Sequence, residues 1–358
     1  MRKFSTIEEY RSEAEATLPE MARSYYMSGA RDEITSRKNR SSWQELDLYF
    51  KVLVDVSERD CSIDLLGDRL RSPILIAPTA FHGLAHPDAE RATARGASEA
   101  GAVYVSSTLS NCSIEEIAEA SSGHRWFQLY VYRDRGVTLD LIRRAEVSGC
   151  RALVITVDAA VIGTRERDRA LGFHLPEPLT MGNFRGAERA LLNQIDDDSA
   201  LTRYVQGQLD PSLTWDDLSW LIDQTHLPVF VKGIIRASDA RQAFDRGAAG
   251  VIISNHGGRQ LDTAPPTSRA LPPIVDAVGG RGLLLVDGGI RRGSDVLKAI
   301  AMGADAVLIG RPILWGLTCA GARGVTDVLE ILREELLEAM ALCGCPRLSH
   351  ITRDLLSP

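Results

Sequence analysis

From residue 73 onward the chain repeats one unit eight times: a short apolar run, then a stretch with helical spacing. The runs occupy 74–77, 103–106, 126–130, 153–157, 229–232, 251–254, 283–286 and 306–309. A run such as Leu153-Val154-Ile155-Thr156-Val157 lacks the polar alternation of a half-exposed strand, which fits strands covered on both faces. Strands alternating with helices imply a parallel sheet with crossover connections. Eight such units predict the α/β fold class, a (β/α)8 barrel over 73–358. At 358 residues the chain has the length of one barrel domain, 1–358, plus extensions.

Nearly every run ends in residues of chemical use: Pro78-Thr79-Ala80, Ser107-Thr108, Gln128 and Tyr130, Thr156 and Asp158, Lys232, His256, Asp287-Gly288-Gly289, Gly310-Arg311. Barrel packing does not need such residues at so many strand ends, whereas a ligand lying across the C-terminal mouth does. The sixth run leads into Ser254-Asn255-His256-Gly257-Gly258-Arg259-Gln260-Leu261-Asp262. There the glycines permit a sharp turn and close approach to a ligand, His256 can exchange a proton near neutral pH, and Arg259 can fork onto a carboxylate. These are the tools for oxidising a 2-hydroxy acid.

Residues 1–50 are polar and helix-prone, and predict a helical extension closing the base or side of the barrel. Tyr25-Tyr26 stand just before a helix end at Ser28-Gly29 and serve equally as core packing or as a site wall. About seventy residues separate the fourth run from the fifth. Such an interval predicts an excursion over the mouth, 159–214, with little packed core of its own, acting as a lid that excludes water. A tolerated surface insertion is the alternative for 185–198 in particular.

The formal net charge of −7, without any Lys/Arg block, argues against nucleic acid or an anionic membrane as the main partner. No apolar run has signal-peptide or membrane-spanning length, so the expected setting is soluble and cytoplasmic, and the last residues do not spell the Ser-Lys-Leu address. Six cysteines (Cys61, Cys112, Cys150, Cys319, Cys343, Cys345) show no metal or disulfide spacing and read as reduced thiols. His82 and His86 suggest a metal pair less well than a helix start at Pro87, with Asp88 and Glu90 following, so no metal is expected.

No Gly-x-Gly-x-x-Gly follows an early strand, which speaks against a dinucleotide fold. Glycines come late instead, in Asp287-Gly288-Gly289-Ile290-Arg291 and in 303–312, where the loops after strands seven and eight of many barrels hold a phosphate. Arg291 and Arg311 supply matching cations.

Taken from Tyr25-Tyr26-Met27-Ser28-Gly29-Ala30 to about Arg347, with Ser254 to Gln260 as its active-site signature, the chain resembles the FMN-dependent (S)-2-hydroxy-acid oxidases and dehydrogenases. These include glycolate oxidase, lactate oxidase and mandelate oxidase or dehydrogenase. The resemblance implies FMN as cofactor, touched by Pro78, Thr79, Ala80, Ser107, Gln128, Thr156, Lys232, Ser254, Asp287, Gly289, Arg291, Gly310 and Arg311. Lys232 would stabilise the reduced ring. For the substrate it implies Arg165 and Arg259 on the carboxylate with Tyr25, Tyr130 on the hydroxyl, His256 as the base, and Asp158 orienting His256. Whether His256 takes the hydroxyl proton with hydride transfer, or the α-proton, does not follow from residue types. A homotetramer is implied as well.

Two departures bear on the substrate: Leu109 where glycolate-type relatives place Trp, and Thr164 where they place Arg. Leu109, with Phe81 facing inward, predicts room for a medium-to-large or aromatic side chain, unless Leu109 points away and Thr108 or Tyr104 fills the space. Ala80, where membrane-bound mandelate dehydrogenases tend to have Gly, and the absence of an apolar membrane-anchoring insertion predict oxygen as the electron acceptor, with hydrogen peroxide as product. The rivals are a dehydrogenase using a quinone or protein acceptor, a non-oxidising FMN barrel such as an isomerase, and a catalytically silent binding protein.

Overall fold

The computed structural model describes residues 4–184 and 207–356. Eight parallel strands close into a barrel: β3 (Ile74–Ile76), β4 (Tyr104–Ser107), β5 (Arg125–Leu129), β6 (Leu153–Thr156), β7 (Val229–Ile234), β8 (Gly250–Ile253), β9 (Leu283–Asp287) and β10 (Ala306–Ile309), with β10 pairing back onto β3. Each lies next to its sequence neighbour, and helices fill the connections. The (β/α)8 expectation therefore holds, with run boundaries displaced by only one or two residues.

Because side chains alternate across a strand, the barrel interior is built in layers. Leu75, Val105, Trp126, Val154, Phe230, Ile252, Leu285 and Leu308 form one packed inner cluster, in which Trp126 and Phe230 stack with ring centroids 4.6 Å apart. Burying each such side chain contributes roughly 1.5–3 kcal/mol. Two residues further toward the mouth, the same inward register presents Ala77, Ser107, Gln128, Thr156, Lys232, Ser254, Asp287 and Gly310. The change from apolar to polar within one strand face marks where packing stops and the site begins.

The base is closed by an element the sequence patterning left unassigned. A hairpin of β1 (Ile63–Leu65) and β2 (Asp68–Leu70) turns through Leu66 and Gly67, both at positive φ, and drives Leu65 and Leu70 into the inner cluster. The N-terminal extension instead lies on the side and at the mouth. Helix α1 (Ile7–Thr17), opened by a Thr6/Glu9 capping box, packs on the C-terminal helical segment 311–342, which is kinked at Ala320-Gly321. Helices α2 (Glu20–Met27) and α3 (Ile34–Gln44) reach the mouth, α3 against the turn at His256–Gly258.

The excursion after β6 also differs from expectation over its described part. Phe173, Met181, Asn183 and Phe184 are buried, and Phe173 stacks on Tyr25 at 4.1 Å, so 159–184 is packed against α2 and the barrel. Residues 185–206 lie outside the described residues, so the lid reading there remains an expectation from sequence. The crossover is completed by a helix at Trp215–Asp223. Among the described residues no helix is long and apolar enough to cross a membrane.

Candidate active site

A cavity at the C-terminal mouth is lined by most of the residues singled out above: Tyr25, Pro78, Thr79, Ala80, Ser107, Leu109, Gln128, Tyr130, Thr156, Arg165, Lys232, His256, Arg259, Asp287, Gly289, Arg291, Gly310 and Arg311. Two stand one layer behind it. Ser254 is fully buried and accepts hydrogen bonds from Lys232 Nζ at 2.9 Å and from the His256 backbone N–H at 3.0 Å. Asp158 is not part of the cavity lining and lies behind His256, with its Oδ1 2.9 Å from the ring Nδ1. Sequence reasoning gave no role to Ile162, Leu209 or Gln260, which also line the wall. Gln260 stood within the signature nonapeptide, but Leu209 carries no chemical signal.

His256 occupies the left-handed region at φ 57°, a conformation that costs a non-glycine residue of order 1–3 kcal/mol and persists only when its surroundings enforce it. They do. Asn255 Oδ1 caps the Gly258 N–H at 3.1 Å, and Asn255 and Asn39 exchange reciprocal amide hydrogen bonds of 2.8 Å that lock this turn to α3. The His256 ring then meets Asp158 with Nδ1 2.9 Å from Oδ1. With Nδ1 directed at the carboxylate, Nε2 is the ring nitrogen left to take a proton.

Burial pushes the Asp158 carboxyl up, but the His256 and Lys232 charges outweigh it and hold it below its ordinary value. The backbone makes room for this carboxylate at a bulge in β7. Gly233 sits at φ 111° where the register shifts, and a Cβ there would lie 2.7 Å from Asp158 Cβ. Gln260 Nε2 donates to the Asp158 carbonyl at 2.7 Å, and Gln260 Oε1 accepts from the Gly163 N–H at 2.8 Å, fastening the post-β6 segment to the post-β8 turn.

Two guanidiniums flank Tyr25, with Arg259 5.0 Å and Arg165 5.6 Å from its ring centroid. Arg259 Nη1 donates to the carbonyls of Tyr25 (2.6 Å) and Ser28 (3.0 Å). Burial, with the neighbouring Arg165 second, lowers Arg259 to about 10. Tyr130 lines the same wall, its phenol pushed up by burial and then by the Asp158 charge.

Leu109 lines the cavity, whereas Thr108 is engaged with the Gln128 carbonyl at 2.6 Å and Tyr104 packs near His82, so neither fills the space before Leu109. Phe81 does not face the cavity as expected. It is buried behind Tyr25, its ring 5.7 Å away, because a φ of 60° turns the chain after Ala80 and sends the ring into the Tyr25–Phe173 cluster. His82 is wholly buried, bonded to Thr79 Oγ1 at 2.6 Å and Thr93 Oγ1 at 2.8 Å. Glu90 stands in the first turn of the helix Ala89–Glu99, as the sequence suggested. It is buried and accepts the backbone N–H groups of His82, Asn111 and Cys112, each at 3.0 Å.

A family model described as FMN-dependent dehydrogenase matches residues 14–358. The chain belongs to this family. It is 47% identical over 353 residues to glycolate oxidase 1 of Oryza sativa subsp. indica, covering 99% of this chain and 95% of that protein. It is 48% identical over 352 residues to L-lactate oxidase of Nostoc sp., covering 97% and 96%. A solved structure of mandelate oxidase with (S)-4-hydroxymandelic acid superposes with a TM-score of 0.93 at 42% identity, over 98% of both chains. These relatives are named for hydroxy acids of quite different size, so family membership leaves the side chain of the substrate open.

The far side of the cavity fits the FMN that the family name implies. Gln128 Oε1 accepts from Ser107 Oγ and the Thr108 N–H, both at 3.2 Å, which orients the amide and leaves Nε2 buried without a partner among the described residues. Asp287 Oδ1 is likewise unpartnered, while its Oδ2 lies 3.1 Å from Lys232 Nζ. Burial pulls the Lys232 ammonium down, but Asp287 and Asp158 outweigh it and hold it above its ordinary value.

At the other end of the cavity, Arg311 donates only to backbone carbonyls among the described residues: Tyr26 at 2.9 Å, Ser28 at 3.0 Å and Gly257 at 3.1 Å. Burial, with the cations around it second, lowers Arg311 to about 9 and Arg291 to about 10. Buried cations paired with dipoles rather than carboxylates are suited to an anionic ligand, and a phosphate meets that need.

Proposed function

We propose that this family member is an FMN-dependent oxidase of an (S)-2-hydroxy acid, giving the 2-oxo acid, with the electrons passed to oxygen to give hydrogen peroxide. Net oxidation removes two electrons and two protons from the substrate carbinol. FMN, when bound, supplies the two-electron acceptor. Arg291 and Arg311 would hold its phosphate, and Gln128, Lys232 and Asp287 would hydrogen-bond its polar ring, with Pro78, Thr79, Ala80, Ser107, Thr156, Gly289 and Gly310 lining the same cavity and Ser254 bracing Lys232.

Arg165 and Arg259 clamp the substrate carboxylate beside Tyr25, and Tyr130 hydrogen-bonds the hydroxyl. His256 Nε2 takes a proton, and Asp158 stabilises the imidazolium that forms. The observation that carries this reading is the His256–Asp158 contact of 2.9 Å beside a cavity that also holds two guanidiniums on Tyr25 and a buried Lys232 3.1 Å from Asp287.

Oxygen as the acceptor is supported by Ala80 and by relatives that are named as oxidases. A medium-to-large or aromatic substrate side chain is supported by Leu109 in the cavity wall. The proposal extends to single-domain chains in a cytoplasmic setting, from the sequence reading, and, on resemblance alone, to a homotetramer. The test is flavin reduction in His256→Ala: FMN stays bound and reduction slows roughly 10²- to 10⁴-fold, the usual worth of a general base. Reduction at the wild-type rate overturns the assignment.

A further inference from the structure

Asp168 lies outside the signature and outside the cavity wall, yet it is almost wholly buried, with 5% of its surface exposed. Its Oδ2 meets Arg165 Nε at 2.6 Å, and its Oδ1 accepts from Ser28 Oγ at 2.8 Å and Ser24 Oγ at 3.2 Å. Among the described residues it is the one carboxylate within ion-pair distance of any of the cavity guanidiniums Arg165, Arg259, Arg291 and Arg311. A buried carboxylate is retained at such a position only where its partners satisfy it, and here all three donors lie on the two elements that meet at the site.

We propose that Asp168 is a positioning residue that sets Arg165 over Tyr25 for the substrate carboxylate. Engaging Nε–H fixes the plane of the guanidinium and leaves its Nη donors free of partners among the described residues, so that they can form a fork. The Asp168 charge also offsets the mutual repulsion of the Arg165, Arg259 and Arg311 cations, which otherwise drives Arg165 outward. Through Ser28 the arrangement extends further. The Ser28 hydroxyl binds Asp168 while its carbonyl accepts from Arg259 and Arg311, so one residue at the end of α2 joins the anchor of Arg165 to the anchors of the other two.

The proposal rests on the reading that Arg165 binds the substrate carboxylate, and the test separates the two. Holoenzyme variants Arg165→Met, Asp168→Asn and the double variant are compared with wild type on (S)-lactate and (S)-mandelate, with FMN content and melting temperature measured alongside. Asp168→Asn raises KM about 10-fold or more, the usual worth of a charged hydrogen bond, with kcat within about threefold and FMN content unchanged. Since it acts through Arg165, the double variant has the KM of Arg165→Met to within about twofold.

A KM unchanged in Asp168→Asn while Arg165→Met raises it overturns the positioning role and leaves the function standing. A KM unchanged in Arg165→Met overturns both. If Asp168→Asn fails to fold, Ser28→Ala, which removes one donor to the carboxylate, is run in the same cycle. Additivity with Arg165→Met then overturns the proposal, and a smaller, non-additive rise in KM supports it.

Discussion

Arg259 and Arg311 converge on a single backbone oxygen, the Ser28 carbonyl, which accepts from Arg259 Nη1 and Arg311 Nη2 at 3.0 Å each. This oxygen belongs to the C-terminal end of α2, where unpaired carbonyls and the negative end of the helix dipole stabilise cations. One helix end thereby holds Arg259 and Arg311 in fixed relation. Tyr25, on the same helix, presents its ring to the first of them.

Removing Arg311, proposed to hold the phosphate, tests the division of roles between the two arginines. Arg311→Met is expected to weaken FMN binding roughly 10- to 100-fold, the loss of one charge-assisted hydrogen bond, read by titrating apoenzyme with FMN and following flavin fluorescence. Affinity equal to wild type places the phosphate elsewhere.

Leu109, in the cavity wall, is proposed to set the room for the substrate side chain. Leu109→Trp is expected to lower kcat/KM for mandelate and 2-hydroxyoctanoate relative to glycolate and lactate by about 10-fold or more, since apolar pockets discriminate by about 1–3 kcal/mol per methylene. Wild-type enzyme preferring glycolate, or a variant that leaves the ratio unchanged, contradicts a pocket widened at this position.

The barrel was legible because its signal is periodic: a strand buried on both faces must be apolar along its length, and eight such runs allow few other folds. Lys232, His256 and Arg311 were legible for the same reason, as polar residues directly at the ends of apolar runs. The base hairpin 63–70 was not, because two three-residue strands carry no period and only the Leu66-Gly67 turn marks them. Phe81 misled because a chain at φ 60° reverses the face on which a side chain falls. Asp168 escaped notice because Arg165-x-x-Asp168 reads as any surface i,i+3 pair. Only the folding of 159–184 against α2 buries it.

Acid stability offers a check on the outer shell. Glu115 in Ile114–Ala120 and Arg144 in Arg135–Val147 form a bidentate pair of 2.7 and 2.9 Å, and the hydrogen bond from Arg144 holds Glu115 down to about 2 from 4.5. A depressed carboxylate contributes stability above its ordinary pKa and loses it as pH falls through the folded value, here between 4.5 and about 2. The Glu115 side chain is 35% exposed, so the contribution after solvent screening is about 1 kcal/mol or less. Glu115→Gln should therefore melt slightly lower than wild type at neutral pH, with the difference disappearing by about pH 2 in thermal scans. A difference that persists undiminished contradicts the ion pair as its source.

The central claim is that this cavity oxidises 2-hydroxy acids. It is tested most directly by mixing FMN-loaded enzyme with (S)-lactate, (S)-mandelate, (S)-2-hydroxyoctanoate and glycolate without oxygen, then admitting air while recording the flavin spectrum and peroxide. The account predicts that at least one acid bleaches the flavin fully, and that air restores the colour with one equivalent of hydrogen peroxide per flavin. A flavin that stays oxidised with every acid contradicts the account, and a bleached flavin that persists in air but reoxidises at once with a quinone replaces the oxidase with a dehydrogenase.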